Sequence, residues 1–367
     1  MRTIVLYVPA LSSGGAERVM VNLANQMSTY NNLNVYLMAQ YEGLYVSMVN
    51  DKVKRVDLRN ISFFKMYGVI REIKPDVILS TVDTANVKSV FMKFLMPRGT
   101  LFITRAPNIY YSWRYKKGFM SRLVTFLLKY AYQFSDGVIS NSPDTEKSLL
   151  SVGINNVIKT VGNPVFSWAE IDTTVDKPFD VVTPYIVYVG SFKTQKRIDL
   201  LLKTFLVVSN SYDVNLVIVG DGDQDNNKEK ALGFIKDNNL EEKVLFVGRK
   251  SQLSGYYKYA KCFVLCSEYE GFGNVIVESL ANGTPVVCFD CPGGPNYILE
   301  NGKYGILANF GDTEKLARSI LDLLNQKLEF DQRELKERAD DFSVENVSRK
   351  YIEYISSLYI NKFNETF

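Results

Sequence analysis

Two glutamates able to bind hydroxyl groups, Glu270 and Glu278, stand eight residues apart in the run Glu270-Gly-Phe-Gly-Asn-Val-Ile-Val-Glu278-Ser-Leu-Ala-Asn-Gly-Thr-Pro-Val-Val. The run follows the apolar segment CFVLCS (262–267), which reads as a strand, and itself reads as a loop opening a helix over about 274–282. One carboxylate then stands on the loop and the other in the helix. Gly271 and Gly273 free the backbone between them to wrap a ligand, and the helix start supplies N–H donors and a positive dipole end. Sugar or ribose hydroxyls suit the carboxylates, and phosphates suit the helix end. A plainer reading, a turn and a surface helix with two solvated glutamates, leaves unexplained why glycines, carboxylates and the Gly-Thr-Pro-Val-Val strand entry occur together.

A second loop, Ser12-Ser13-Gly14-Gly15-Ala16-Glu17-Arg18, joins the first strand to the first helix, and its two glycines and helix start fit an anion. Such a turn also serves purely structural ends. It is not the G-x-G-x-x-G fingerprint, which speaks against a nicotinamide cofactor. The 367 residues contain no histidine, which removes a His general base, a His-containing metal site and any Ser-His-Asp triad. Cys288 and Cys291 have C-x2-C spacing, but Cys262 and Cys266 alternate within an apolar strand, so core thiols are expected rather than zinc. Asp221 and Asp223 of VGDGD are expected as turn residues after a strand.

The elements that must position these residues alternate along the chain. Strands are expected at 3–8, 34–39, 76–80, 100–104 and 137–141, and again at 185–190, 215–220, 243–248, 262–267 and 285–289. Between them lie helical patterns such as 16–28, where Val19, Met20, Leu23, Ala24 and Met27 form one stripe. Each half therefore predicts its own doubly wound α/β unit with a parallel sheet, joined near 164–184, where periodicity lapses. The boundaries are set at 1–166 and 167–343. The closing segment has a capping Ser343 and helical spacing, so 344–367 is expected as a helix.

The composition, 46% apolar and 23% charged, is that of an ordinary folded chain, and no 18-residue apolar run lacks a charge. The opening runs directly into a strand without the shape of a signal peptide, so a cytosolic chain with reduced thiols is expected. Charge is uneven: residues 1–170 carry 20 Lys/Arg against 11 Asp/Glu. Between Asp83 and Asp136 no acidic residue occurs, while Lys88, Lys93, Arg98, Arg105, Arg114, Lys116, Lys117, Arg122 and Lys129 do. Aromatics interleave with them in YYSWRYKKGFMSRLVTFLLKYAYQF. The mixture suits an anionic membrane surface along the 110–130 face. A solvated helix face with an apolar underside is the alternative, and no motif supports nucleic acid.

Taken in order, GGAER, VGSFKTQKRIDLLL (189–202), VGDGD (219–223), VLFVGR (244–249), the 270–278 segment and CPGGPNYILENGKYGILA (291–308) resemble the retaining glycosyltransferase family 4 over nearly the whole chain. The resemblance implies the GT-B architecture, two facing Rossmann-like domains with a deep cleft between them, the terminal helix 344–367 packing back on the first. It implies that Glu278 holds the ribose hydroxyls and Glu270 those of the transferred sugar. The backbone of Phe272, Gly273, Asn274 and Val275 would line the sugar and diphosphate. Lys196 would neutralise the diphosphate, with Arg197 beside it as a further catalytic cation. Gly248 and Arg249 would meet the base, Gly190 and Ser191 the phosphates, and Gly14 and Gly15 would close over the phosphates from the first domain. Arg105 and Asn108 fall on the acceptor side. Three departures stand out: Gly190-Ser191 replaces Gly-Arg, leaving Lys193 or Arg197 to supply that phosphate contact. Arg105-Ala106 stands where many members carry Glu-His, and Asn296-Tyr297 where close relatives carry Arg-Glu.

The implied activity is transfer of a hexose or N-acetylhexosamine from a UDP-sugar to a glycan acceptor, lipid-linked, in bacterial O-antigen or capsule assembly. No cofactor and no metal are expected, because a front-face transfer lets the leaving diphosphate take the acceptor proton while cations hold its charge. The enzyme is expected on the cytoplasmic face of the cell membrane, attached peripherally. Two other readings use the same fold. One is a sugar-nucleotide epimerase, against which the missing histidine counts. The other is a nucleotide-sugar-binding partner without turnover, motivated by Ser191 and Ala106.

Overall fold

The computed structural model describes the chain except for Ser13, Arg98, 111–118, 172–174 and 179–183, and except for the side chains of 119–122. The chain divides into two compact units, Met1–Val165 with Ser343–Phe367, and Phe166–Phe342.

The first unit alternates strands and helices in chain order: β1 (Arg2–Ala10), α1 (Gly15–Met27), β2 (Leu33–Gln40), β3 (Lys54–Asp57), α2 (Phe63–Ile73), β4 (Val77–Thr81), α3 (Asp83–Leu95) and β5 (Leu101–Ala106). Then come α4 (Phe119–Phe134), β6 (Gly137–Ser140), α5 (Pro143–Ser151) and β7 (Ile158–Thr160). Seven parallel strands lie in the order β3-β2-β1-β4-β5-β6-β7, with Ile4 opposite both Val35 and Val77. Both faces are covered by helices, so the central strands β4 and β5 are buried at every position, their polar residues Ser80, Thr81, Thr104 and Arg105 included.

The second unit runs β8 (Tyr185–Val189), α6 (Ile198–Ser211), β9 (Asn215–Val219), α7 (Asn227–Asp237), β10 (Val244–Gly248), α8 (Ser254–Lys258), β11 (Phe263–Leu265) and α9 (Asn274–Ala281). It continues through β12 (Val286–Asp290), α10 (Pro295–Ile298), β13 (Ile306–Asn309), α11 (Thr313–Leu324) and α12 (Gln332–Asp340). Its six parallel strands lie in the order β10-β9-β8-β11-β12-β13. Both sheets are thus doubly wound, as the alternating pattern predicts. In each, the strand order reverses at a central pair, β1 and β4 or β8 and β11. Loops leaving the carboxyl ends of such a pair diverge and open a crevice.

The closing helix α13 (Val344–Phe363) begins at Ser343, whose Oγ accepts from the Asn346 N–H at 3.3 Å. It belongs to the first unit: Tyr351, Ile355 and Leu358 share a core with Ile4, Leu6 and Leu23. Arg2 fastens its end, donating to Asp76 at 2.9 Å and to Tyr359 at 2.8 Å. Three strands escape the sequence reading: β3, β7 and β13. Each has three or four residues and lies at a sheet edge.

Candidate active site

The central pair of the second unit carries the carboxylate loop. β11 ends at Leu265, and the chain runs through Cys266–Gly273 into α9, whose first residue is Asn274. Gly273 serves as N-cap with φ 93°, a left-handed conformation that suits glycine, and no side chain caps the helix. A helix start of this kind, with glycine as its N-cap, suits an anion. From the neighbouring strand β8, Gly190-Ser191-Phe192-Lys193 leads into a 3-10 turn, Thr194–Lys196.

These two loops meet through side chains. Lys196 Nζ lies 2.6 Å from Glu270 Oε1, and the Ser267 hydroxyl donates to the same oxygen at 2.6 Å. Both charged groups are largely withdrawn from solvent. The backbones are also joined, since the Glu268 N–H donates to the Gln195 carbonyl at 2.8 Å. Glu270 is further fixed by its own N–H, which donates to the Pro292 carbonyl at 3.0 Å. Beneath it, Gly293 and Gly294 pack so closely that an added Cβ would overlap the carbonyl oxygens of Glu270 and Phe272. Only glycine permits this approach.

Glu278 is buried on α9 and accepts from the Tyr257 hydroxyl at 3.3 Å. Phe272 turns its ring into the core against Phe342, centroids 5.5 Å apart, so its backbone alone is available to a ligand. Asn274 and Val275 are half-buried at the helix start. Gly190 and Ser191 follow β8; a Cβ on Gly190 would crowd the Tyr188 hydroxyl, which donates to the Ser191 carbonyl at 3.1 Å. Gly248, with φ 67°, ends β10 two strands away, and Arg249 beside it is exposed.

Arg197 goes elsewhere than its neighbour. With φ 50° it caps α6, and its guanidinium grips Asp199 through two bonds of 2.9 and 2.8 Å. Lys196 and Arg197 thus diverge, one to the Glu270 loop and one to α6. In the first unit, Gly14 caps α1 while the Glu17 carboxylate folds back over it. Gly15 opens the helix and is exposed. Asn108 is exposed in the segment after β5.

Arg105 corrects an expectation. Placed on the acceptor side from sequence, it is fully buried at the end of β5. Its Nε donates to Tyr351 at 3.0 Å, Nη1 to Thr81 at 3.2 Å, and Nη2 to Asn163 Oδ1. It fastens α13 and the segment leading out of the unit to the sheet, leaving no donor aimed at solvent.

The sequence reading missed Ser267, Tyr257 and the close approach of Gly293-Gly294. It also missed Arg338, buried between Glu300 at 2.9 Å and Asp341 at 2.7 Å while donating to the carbonyls of Tyr297 and Ile298. Only the Gly-Gly pair left a signal in the sequence. Burial pushes all four thiols up, Cys262 to about 12 and the other three further. Asp221 and Asp223 accept from the backbone N–H groups of Gly222 and Lys228, as turn residues do.

Residues 173–342 match the family Glycosyl transferases group 1. The lipopolysaccharide core biosynthesis glycosyltransferase LpsE of Rhizobium meliloti is 24% identical over 94% of this chain and 96% of its own. A Campylobacter jejuni α-1,4-N-acetyl-D-galactosaminyltransferase, whose name specifies a diphospho-undecaprenol-linked substrate, is 25% identical over 98% of this chain and 99% of its own. Among solved structures, Anabaena HepE in complex with UDP and glucose aligns over 97% of this chain and 100% of its own, with TM-score 0.80 and 18% identity. That likeness concerns the fold.

Proposed function

We propose, from the Glycosyl transferases group 1 domain that this chain carries over residues 173–342, that it is a retaining glycosyltransferase using a UDP-sugar donor and a lipid-linked glycan acceptor in bacterial surface polysaccharide assembly. One observation carries the reading: Lys196 and Glu270 meet at the carboxyl ends of β8 and β11, beside the start of α9, whose N-cap is Gly273. A cation, a hydroxyl-binding carboxylate and a row of N–H donors are what a sugar joined to a diphosphate requires.

In this scheme the donor's C1–oxygen bond to the diphosphate breaks and the acceptor hydroxyl oxygen bonds C1 on the same face. The acceptor proton passes to a phosphate oxygen of the leaving UDP. Lys196 stabilises the charge developing on that oxygen. Glu270 holds the sugar through Oε2, since both bonds it makes to Lys196 and Ser267 fall on Oε1. Glu278 receives the ribose hydroxyls. The scheme gives no role to a protein nucleophile or a metal ion.

Relatives supply the acceptor class: LpsE is named for the lipopolysaccharide core and the Campylobacter enzyme for an undecaprenol-linked glycan. With such an acceptor the protein works at the cytoplasmic face of the cell membrane, against anionic lipid, with no nucleic acid partner. Among the described residues no helix is long and apolar enough to cross a membrane. Mass spectrometry of lipid-linked glycans from a strain lacking this protein tests the proposal. A glycan truncated by one hexose or N-acetylhexosamine is expected, and an unchanged glycan profile refutes the assignment.

A further inference from the structure

The cations expected from sequence to meet a membrane, Arg114, Lys116 and Lys117, lie outside the described residues, as does the side chain of Arg122. Around α10 and α12 every residue is described. There we infer that Arg338 is a positioning residue: it seats α10 beneath the 270–273 loop and so fixes where Glu270 stands, without touching a ligand itself. Arg338 sits on α12 and is 8% exposed. Its Nε donates to the Ile298 carbonyl at 2.8 Å, and its Nη2 donates to the Tyr297 carbonyl at 2.6 Å. Both carbonyls belong to the end of α10, which has four residues, too few to hold a helical turn unaided. The last carbonyls of any helix also lack partners within it. Arg338 supplies them, and keeps Nη1 for Asp341 at 2.7 Å and Glu300 at 2.9 Å.

From α10 the constraint reaches Glu270 by two routes. The backbone route runs through Gly294, the N-cap of α10, whose carbonyl accepts from the Ile298 N–H at 2.8 Å. Gly294 lies against the Phe272 carbonyl and Gly293 against that of Glu270, while the Pro292 carbonyl accepts the Glu270 N–H at 3.0 Å. The side-chain route runs through rings. The Phe272 ring packs on Phe342 at 5.5 Å and on Tyr297 at 6.5 Å, and Tyr297 meets Phe342 at 5.8 Å. The Arg338 guanidinium lies over Phe342 at 4.9 Å and over Tyr297 at 5.7 Å. One buried cation thus bonds the helix and packs the rings on which the loop rests. A buried ion pair alone is weak grounds for stability, since apolar residues of similar volume often serve as well. An apolar residue could not bond the two carbonyls. Glu278, by contrast, accepts from Tyr257 of α8, so the ribose end of the proposed site has a holder of its own.

The effect on turnover rests on the transfer proposed above, whereas the effect on the loop does not. Arg338→Met keeps the apolar packing, and Arg338→Lys keeps the charge without the fork. Glu300→Gln changes an exposed partner and leaves both carbonyl bonds. Each variant is measured by hydrogen exchange of the free protein and by UDP calorimetry. Transfer is assayed from UDP-glucose, UDP-galactose and their N-acetyl forms to lipid-linked glycans extracted from the deletion strain. In Arg338→Met the Glu270 and Ile298 amides should exchange faster while those of β8 and β9 do not change. UDP affinity should fall less than kcat, which should drop about 10²-fold, the cost of misplacing a reacting group. Arg338→Lys should move the same way by less, and it is read alone if the methionine variant does not fold. Glu300→Gln should match the wild type. Three results overturn the inference: an unchanged Glu270 amide in every arginine variant that folds, a Glu300→Gln protein as impaired as Arg338→Met, or UDP affinity lost in step with turnover. Faster loop amides in a protein whose deletion leaves the lipid-linked glycans unchanged support the positioning of the loop and refute only the proposed transfer.

Discussion

Lys196 Nζ sits 2.6 Å from Glu270 Oε1, and the two residues come from loops 74 positions apart that leave adjacent strands. An ammonium and a carboxylate withdrawn from water together hold each other in place, and removing either strands the other. The Ser267 hydroxyl donates to the same oxygen, Oε1, that Lys196 meets. In the proposed reaction the pair is built before a donor arrives, and donor binding would divide the lysine's charge between carboxylate and diphosphate.

Lys196→Ala should lower kcat by about 10²–10³, the usual loss when one preorganised donor is removed from a developing anion. Glu270→Ala should also depress turnover more than UDP affinity, because in the proposed site its ligand is the sugar. Arg197→Ala should cost less than Lys196→Ala, since its guanidinium is engaged with Asp199. Steady-state kinetics on the three variants checks the order, and a Lys196→Ala enzyme with normal turnover contradicts the mechanism.

Glu278→Ala should weaken UDP binding by about 1.5–3 kcal/mol, the worth of a hydrogen bond to a charged group. Tyr257→Phe should act in the same direction and by less, because the Tyr257 hydroxyl would act only through the Glu278 carboxylate it donates to. Titration calorimetry with UDP reads both. Equal affinity for Glu278→Ala and the wild type would remove the ribose role.

Gly294→Ala should abolish donor binding while leaving the first unit folded. The new methyl would overlap the Phe272 carbonyl oxygen, so the 270–273 loop must move. Overpacking of this kind costs about 1–3 kcal/mol, and the displacement falls on the backbone that leads into α9. Thermal unfolding and UDP titration together test it; a variant that binds UDP normally shows that the loop tolerates the shift.

Transfer should survive a chelator. Among the described residues no group of three or more Cys, Asp or Glu side chains is gathered as a metal site, and in the proposed reaction Lys196 would supply the cationic charge on the diphosphate. The assay is transfer with excess EDTA. Loss of activity that Mn²⁺ restores would place a metal in the reaction.

The sequence made the sheets legible because their central strands are buried on both faces and open on apolar runs, Val-Ile-Leu in β4 and Leu-Phe-Ile in β5. The edge strands did not stand out, since β3 is Lys-Arg-Val-Asp and β7 is Ile-Lys-Thr, each with solvent on one side. Glu270, Glu278 and Lys196 were legible as residue types in ordered motifs. Their partners were not. Ser267 is one serine among many, and Tyr257 reaches Glu278 only once α8 and α9 are packed together. The close approach beneath Glu270 depends on Gly293-Gly294 meeting a backbone more than twenty residues earlier in the chain, which no local pattern encodes. Arg105 misled because the resemblance sets Arg105-Ala106 where many members carry Glu-His, whereas here Tyr351 of the returning α13 covers it.

Arg105→Met should loosen α13 from the first unit. The guanidinium donates to Tyr351 on α13, to Thr81 at the end of β4 and to Asn163 just before the chain leaves the unit. No carboxylate appears among these partners, so the cation is held by neutral acceptors alone, all of them buried. Methionine fills much of the same volume but removes the arginine's donors from Tyr351, Thr81 and Asn163, at a cost of about 1–3 kcal/mol for each group left buried and unsatisfied. The helix has the most freedom to relieve that cost, because it is the last element of the chain and Tyr351 lies near its start. Arg105→Lys should restore little, since one ammonium cannot reproduce a planar fork reaching three directions. Hydrogen exchange separates the outcomes: amides of 344–363 should lose protection in Arg105→Met while those of β8 to β12 keep theirs. Unchanged protection of α13 would mean that its apolar contacts, Tyr351, Ile355 and Leu358 among them, suffice without the arginine.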